Sequence, residues 1–319
     1  MLQEEIMKKE MIKTIMKTVA LIALIMMLPI KAYAADKDTV VALGSDLTES
    51  QRATVLSLMG LTEADLANCT VITVTNADEH KFLDGYIDSS VIGTRALTSV
   101  KMTKSAPGSG INVTTQNVNY CTTGMYRNAL LTAGVEDRDV LVVAPTPISG
   151  TAGLIGAVRA YEASTGEKVR EDVLDGALDE LITTGELNEQ LENVSNEDVE
   201  ALMAWLKNMI ATGKLDTSDE NSIRQTISEG EKQFGVTLTD SEKQQIVDLL
   251  KKLDKLGLNG TYLIDQAENL YKKYGSDVVN QAQDVINEAV GNAVSQATQS
   301  FFSSIKESFT GFFSNLFGR

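Results

Sequence analysis

Histidine, cysteine and proline are scarce in this chain of 319 residues; the first two scarcities remove classes of function, and the third bears on where helices can run. A single histidine, His80, cannot build a His-rich zinc site, and two cysteines, Cys69 and Cys121, do not make a metal centre. Positive charge is also short, with 28 basic against 44 acidic residues. That field repels duplex nucleic acid and anionic lipid and draws cationic partners, so no nucleic-acid partner is expected. Neither G-x-S-x-G nor H-E-x-x-H occurs, and the acidic stretch Asp216, Ser218, Glu220 lacks the glycine and terminal glutamate of a calcium loop. No catalytic residue, metal or cofactor is assigned.

What the chain does carry begins with a secretory leader. Lys8, Lys9, Lys13 and Lys17 form a basic front, Val19 to Ile30 an apolar core, and Ala32-Tyr33-Ala34 a small-x-small cleavage site. The core is interrupted by Pro29 and is shorter than the roughly 18 to 20 residues of a bilayer span. The expectation is a signal peptide over 1–34, cleaved after Ala34, and a secreted or cell-envelope protein. In an oxidising compartment one disulfide between Cys69 and Cys121 is compatible with the sequence, although an α/β fold of this size needs no staple.

Proline divides what remains: Pro107, Pro145 and Pro147 precede a stretch from Ile148 to Arg319 with none, which can be helical throughout. Charge follows the same boundary, since residues 148–299 hold 13 basic and 27 acidic groups against 8 and 13 over 35–147. The first part alternates strand and helix signals. Val40 to Leu43 reads as a strand, and Thr48-x-x-Gln51 is a capping box opening a helix. Val71 to Thr75 is a second strand, followed by a short helix capped by Asn76. Arg95 to Thr103 and Ile111 to Gln116 look like two strands turned at Pro107-Gly108-Ser109-Gly110. Met125 to Ala133 is helical, Val140 to Val143 suits a central strand, and Ser149 is expected to cap a helix reaching Ala163.

The expected fold class is α+β or α/β: a mixed sheet of about five strands covered by helices over 35–165, then an acidic helical domain over 166–275, then a long amphipathic helix over 276–319. Apolar stripes at Leu174, Leu178, Leu181 and Ile182, at Val199, Leu202 and Leu206, and at Ile246, Leu249, Leu250 and Leu253 predict a bundle of four or five helices. The third stripe follows a capping box, Thr239-x-x-Glu242.

Five segments together carry a family resemblance: Leu43-Gly44-Ser45-Asp46-Leu47-Thr48, Thr73-Val74-Thr75-Asn76 with Glu79-His80, Ile92-Gly93-Thr94-Arg95-Ala96, Ser149-Gly150-Thr151-Ala152 with Ala160-Tyr161-Glu162, and Val236 to Ser241. In these the chain resembles the YpuA-like exported proteins of Gram-positive bacteria, the domain of unknown function 1002 family. The resemblance implies export and this architecture, carries no activity or residue role, and leaves the cysteine pair outside its pattern.

Two places have the residue types of a site. The turn Pro145 to Gly153 follows an apolar strand and opens a helix, where Ser149, Gly150 and Thr151 can offer N–H groups and hydroxyls to a phosphate or carboxylate. Gly150-x-x-Gly153-x-x-Gly156 equally suits close packing of that helix on the sheet. His80 lies beside Asp78 and Glu79; it can act as a base or a lone ligand, or those carboxylates can simply favour the helix start. Arg95 and His80 join Ser149, Gly150 and Thr151 as candidate ligand-binding residues.

The C-terminus has the sharpest pattern. Six of eight phenylalanines fall in the last 19 residues, and Phe301, Phe302, Ile305, Phe309, Phe312, Phe313 and Leu316 recur on one helical face opposite serines and threonines. Such a face needs cover: the protein's own bundle, a membrane surface, or a protein partner through this helix. The reading is an exported, non-enzymatic binding or surface-associated protein. The alternative is a hydrolase or small-anion binding enzyme centred on the Ser149-Gly150-Thr151 turn.

Overall fold

The computed structural model describes residues 38–87 and 89–257. The leader and the aromatic face from Phe301 to Leu316 lie outside the described residues.

Val40-Val41-Ala42-Leu43 sits in β1 (Thr39–Gly44), buried along its whole length. An unbroken aliphatic run without alternation is what a strand covered on both faces requires. The chain continues through α1 (Glu49–Leu58), β2 (Thr70–Val74), α2 (Asn76–Leu83), α3 (Ser89–Ile92), β3 (Ser99–Lys104), β4 (Ile111–Val118), α4 (Thr123–Thr132), β5 (Arg138–Ile148) and α5 (Ala152–Thr165). Only helices follow: α6 (Glu171–Gln190), α7 (Asn196–Ala211), α8 (Glu220–Phe234) and α9 (Asp240–Lys255).

The five strands form one mixed sheet in the order β2-β1-β3-β5-β4. β1 and β2 are parallel, as are β4 and β5, while β3 runs antiparallel to both β1 and β5. Every strand except β3 therefore ends at the same edge. Alternation sorts the two faces. Val40, Ala42, Val100, Met102, Val140 and Val142 pack under α4, α5 and α6, and Val41, Leu43 and Val143 pack under Val55, Leu56 and Met59. A separate cluster joins α7, α8 and α9 through Leu202, Leu206, Ile223, Ile227, Ile246 and Leu250. Trp205 meets Phe234 there at 6.1 Å between ring centroids.

The mixed sheet and the helical region after it match the expectation, and both capping boxes form: Thr48 with Gln51, and Thr239 with Glu242. Four local details differ. Pro107 to Gly110 does not turn a hairpin, because β5 lies between β3 and β4. The apolar run Val140 to Val143 needs cover on both faces and takes the inner position, and the Asp137 carboxylate accepts the Gly108 and Gly110 N–H groups at 2.9 and 3.0 Å. β3 begins at Ser99 rather than Arg95. Thr75, not Asn76, caps α2, its hydroxyl accepting from Asp78 N at 3.2 Å. Ser149 does not cap α5, whose N-cap position is Thr151, without a side-chain hydrogen bond. The stripe Leu174, Leu178, Leu181, Ile182 of α6 packs in the cluster beneath the sheet, and Leu187 in the helical one, so a single helix spans both.

Candidate functional site

Open α/β sheets leave a crevice at the carboxyl ends of their parallel strands. Here β1 ends at Gly44, β2 at Val74 and β5 at Ile148, and residues 93–98 cross that edge to enter β3. This crossing segment is held at both ends. Ala96 N donates to Asp46 Oδ2 at 2.8 Å, and Asp46 N donates to Ala96 O at 3.2 Å. A Cβ on Gly44 would stand 2.3 Å from Ala96 O, so the approach needs glycine. At the other end the Gly93 carbonyl accepts from Asn76 Nδ2 at 3.3 Å and from His80 Nε2 at 2.9 Å.

The opposite wall is the turn after β5. Gly150 adopts φ +88°, its carbonyl accepts from the buried Tyr126 hydroxyl, and Ser149 O accepts from Cys121 N at 3.1 Å. Cβ atoms on Gly153 and Gly156 would meet Val142 and Val100 of the sheet, so these two glycines serve close packing while Gly150 makes the turn. Ser149 Oγ and Thr151 Oγ1 lie 3.4 Å apart. α5 starts here without a side-chain cap, and in its first turn Gly153 N and Leu154 N donate instead to Gly150 O and Thr151 O at 2.7 and 3.4 Å.

Between the walls is a cleft of about 480 Å³ lined by Glu79, Arg95, Thr98, Ser149, Gly150 and Thr151 among others. That is within the roughly 300–1,000 Å³ of small-molecule sites. Arg95 is exposed and forms no ion pair among the described residues. Glu79 is 3% exposed; Oε2 accepts from Asn76 Nδ2 at 3.2 Å, and Oε1 has no hydrogen-bond partner among the described residues. Burial pushes its carboxyl up to about 7, against the Asn76 hydrogen bond, which favours the charged form.

Of the residues singled out in the sequence, Arg95, Ser149, Gly150 and Thr151 line this one cleft. His80 stands behind it. Its Nδ1 faces Asp84 Oδ1 at 2.7 Å and its Nε2 faces Gly93 O, so both ring nitrogens meet acceptors. The Asp84 hydrogen bond, then that of Gly93, raises its pKa. Cys69 and Cys121 are free thiols in clusters on opposite faces of the sheet, so the bridge compatible with the sequence is not formed. Burial raises the Cys121 thiol to about 12, the state of an inert core residue. Sequence reasoning missed Glu79, Thr98 and the clamp residue Asp46. For Glu79 a signal existed: it shares the buried side of α2 with Leu83, four residues on. No group of three metal-ligating side chains occurs among the described residues, and none of their helices is long and apolar enough to cross a membrane.

A mixed five-stranded sheet with helices, a following helical region and a cleft at the strand ends define an α+β protein whose candidate site lies at a loop edge. The chain belongs to the family described as a protein of unknown function, DUF1002, whose model matches residues 43–270. It is 40% identical over 242 residues to the uncharacterized protein YpuA of Bacillus subtilis (strain 168), covering 76% of this chain and 81% of that protein. No solved structure matches. Four of the five segments that carry the family resemblance, those around Gly44-Asp46, Asn76-His80, Gly93-Ala96 and Ser149-Thr151, line or brace the cleft.

Proposed function

We propose that this chain is an exported binding protein that holds a small anionic ligand in the cleft between Arg95 and the Ser149-Gly150-Thr151 turn, and that its C-terminal amphipathic segment attaches it to a membrane surface or a protein partner. Export rests on the basic, apolar and Ala-Tyr-Ala succession over 1–34, and attachment on the aromatic face from Phe301 to Leu316. The observation that carries the binding reading is that Arg95, distant in sequence from the turn, lines the same cleft as Ser149, Gly150 and Thr151. A guanidinium without an ion pair among the described residues, in one cleft with a helix start that lacks a side-chain cap, suits a carboxylate or phosphate.

Hydrolysis at that turn is the second reading, and Glu79 is what favours it, since a carboxyl at about 7 is a suitable general base. Binding is preferred because Ser149 Oγ is paired with Thr151 Oγ1 rather than with a base, and His80 has both ring nitrogens engaged elsewhere.

The test is titration with phosphate and with acetate while following amide resonances. Gly150 and Thr151 should shift, and Arg95→Gln should weaken the response without unfolding the protein. Gly150→Val, which places a β-branched residue at φ +88°, should abolish it. No shift at millimolar anion would leave the turn as a structural element only.

A further inference from the structure

The cleft holds two opposite charges that do not meet. Among the described residues neither Arg95 nor Glu79 forms a salt bridge, although both line the same cavity of about 480 Å³. Glu79 is largely withdrawn from water, and the nearby His80 favours its charged form without forming a salt bridge with it among the described residues. Its Oε1 has no hydrogen-bond partner there either, whereas Oε2 is fixed by Asn76, which also holds Gly93. One carboxylate oxygen is thus left without a donor among the described residues, while Arg95 and the Ser149-Gly150-Thr151 turn line the same cavity.

We infer that the ligand is a zwitterion of the amino-acid class, a free amino acid or short peptide whose carboxylate is received by Arg95 and the Ser149-Gly150-Thr151 turn and whose ammonium is received by Glu79. This rests on the anion-binding reading of the cleft and adds a second, cationic pole to the ligand. The charged groups around Glu79 are Asp46 just after β1 and Asp78 and His80 on its own helix, and Arg95 lines the same cleft. Asp46 adds negative potential beside Glu79, which further suits an ammonium.

Proton linkage separates a zwitterion from a simple anion. Glu79 titrates at about 7, so at neutral pH it is only partly ionised. An ammonium placed on it favours the carboxylate and releases protons on binding; an anion placed near it favours the neutral acid and takes protons up.

The experiment is isothermal titration calorimetry of the full chain at pH 7 with L-alanine, D-alanine and the dipeptide Ala-Ala, each against propionate and ethylammonium, in buffers of different ionisation enthalpy. At least one zwitterion is expected to bind about tenfold or more tightly than propionate, with proton release. Glu79→Gln should remove that preference, and propionate, relieved of the nearby carboxylate, should bind at least as tightly as it does to the unmodified protein. The proton count on the unmodified protein decides the matter even where this variant folds poorly. Equal binding of propionate and the zwitterions, or proton uptake with all of them, overturns the zwitterion and leaves the anion site standing. Absence of binding by every carboxylate overturns both.

Discussion

Lys207 on α7 places Nζ 2.7 Å from Glu180 Oε1 on α6, with side-chain exposures of 5% and 1%. The ammonium also donates to Asn128 O at 2.7 Å and Thr132 Oγ1 at 3.0 Å, and the Thr132 hydroxyl donates to Glu180 Oε2. A buried ion pair with its hydrogen bonds completed thus joins α4 under the sheet to α6 and α7. Removing one partner strands the other charge in the interior. Lys207→Met alone should cost about 3–5 kcal/mol in urea denaturation, and adding Glu180→Leu should restore about half or more of that loss. A single substitution as mild as the double one would refute the coupling.

Stability should decline from mildly acidic to neutral pH. Burial pushes Glu79 and Glu200 up to about 7 from an ordinary 4.5. The folded state then holds protons that the unfolded chain gives up, so this contribution is fully present below about 4.5 and is lost as pH rises to about 7. Each shift is worth on the order of 2 kcal/mol after allowing for screening. Glu200 accepts from the Thr122 hydroxyl at the start of α4, so Glu200→Gln keeps the shape and removes the titration. Denaturation midpoints between pH 5 and 7.5 should flatten in Glu79→Gln with Glu200→Gln; an unchanged slope would refute this assignment.

Gly44→Ala should damage the site through the backbone. Its Cβ would meet Ala96 O at 2.3 Å, and the neighbouring atoms are backbone as well. Relief requires moving the segment 93–98 that carries Arg95. A loss of about 1–3 kcal/mol is expected, with weakened anion binding. Gly60→Ala is the control for stability alone, because its added Cβ meets nothing, although its φ of +69° brings some strain.

Local signals were readable where the chain decides them locally. Thr48 with Gln51 and Thr239 with Glu242 are contacts between residues three apart, and both form. The apolar run Val140 to Val143 called for a central strand and became one. Placement beside a neighbour was not readable. Nothing between Pro107 and Gly110 tells that β5, more than twenty residues on, will enter between β3 and β4. The Leu174 to Ile182 stripe likewise states that α6 has an apolar face, not which cluster will take it. The site divides the same way. Ser149, Gly150 and Thr151 announce themselves as a turn opening a helix, whereas Asp46 and Asn76 matter only through contacts with Ala96 and Gly93.

Processing is the next expectation. If 1–34 acts as a leader, protein recovered from culture supernatant or envelope should have an intact mass that begins at Ala35. Replacing Ala32 and Ala34 with bulky residues should retain the precursor. An uncleaved chain in the exported fraction of the unmodified protein would refute the leader reading.

The tail makes the final prediction. Phe301, Phe302, Phe309, Phe312 and Phe313 recur with Ile305 and Leu316 at the three- and four-residue spacing of a helical face, and the last 19 residues hold only Lys306, Glu307 and Arg319 as charges. Burying a Phe fully is worth about 1.5–3 kcal/mol, and less at an interface, which is enough for several together to hold a helix reversibly on a bilayer without a basic patch. Binding should therefore depend on curvature and packing defects rather than on anionic lipid, and salt should matter little. Full-length protein should float with small neutral liposomes; deletion of residues 300–319, or Phe309→Asp with Phe312→Asp, should abolish flotation while the melting temperature of the folded part stays unchanged. A melting temperature lowered by several degrees, with no flotation of the intact chain, would instead make the tail a packing element of the protein itself.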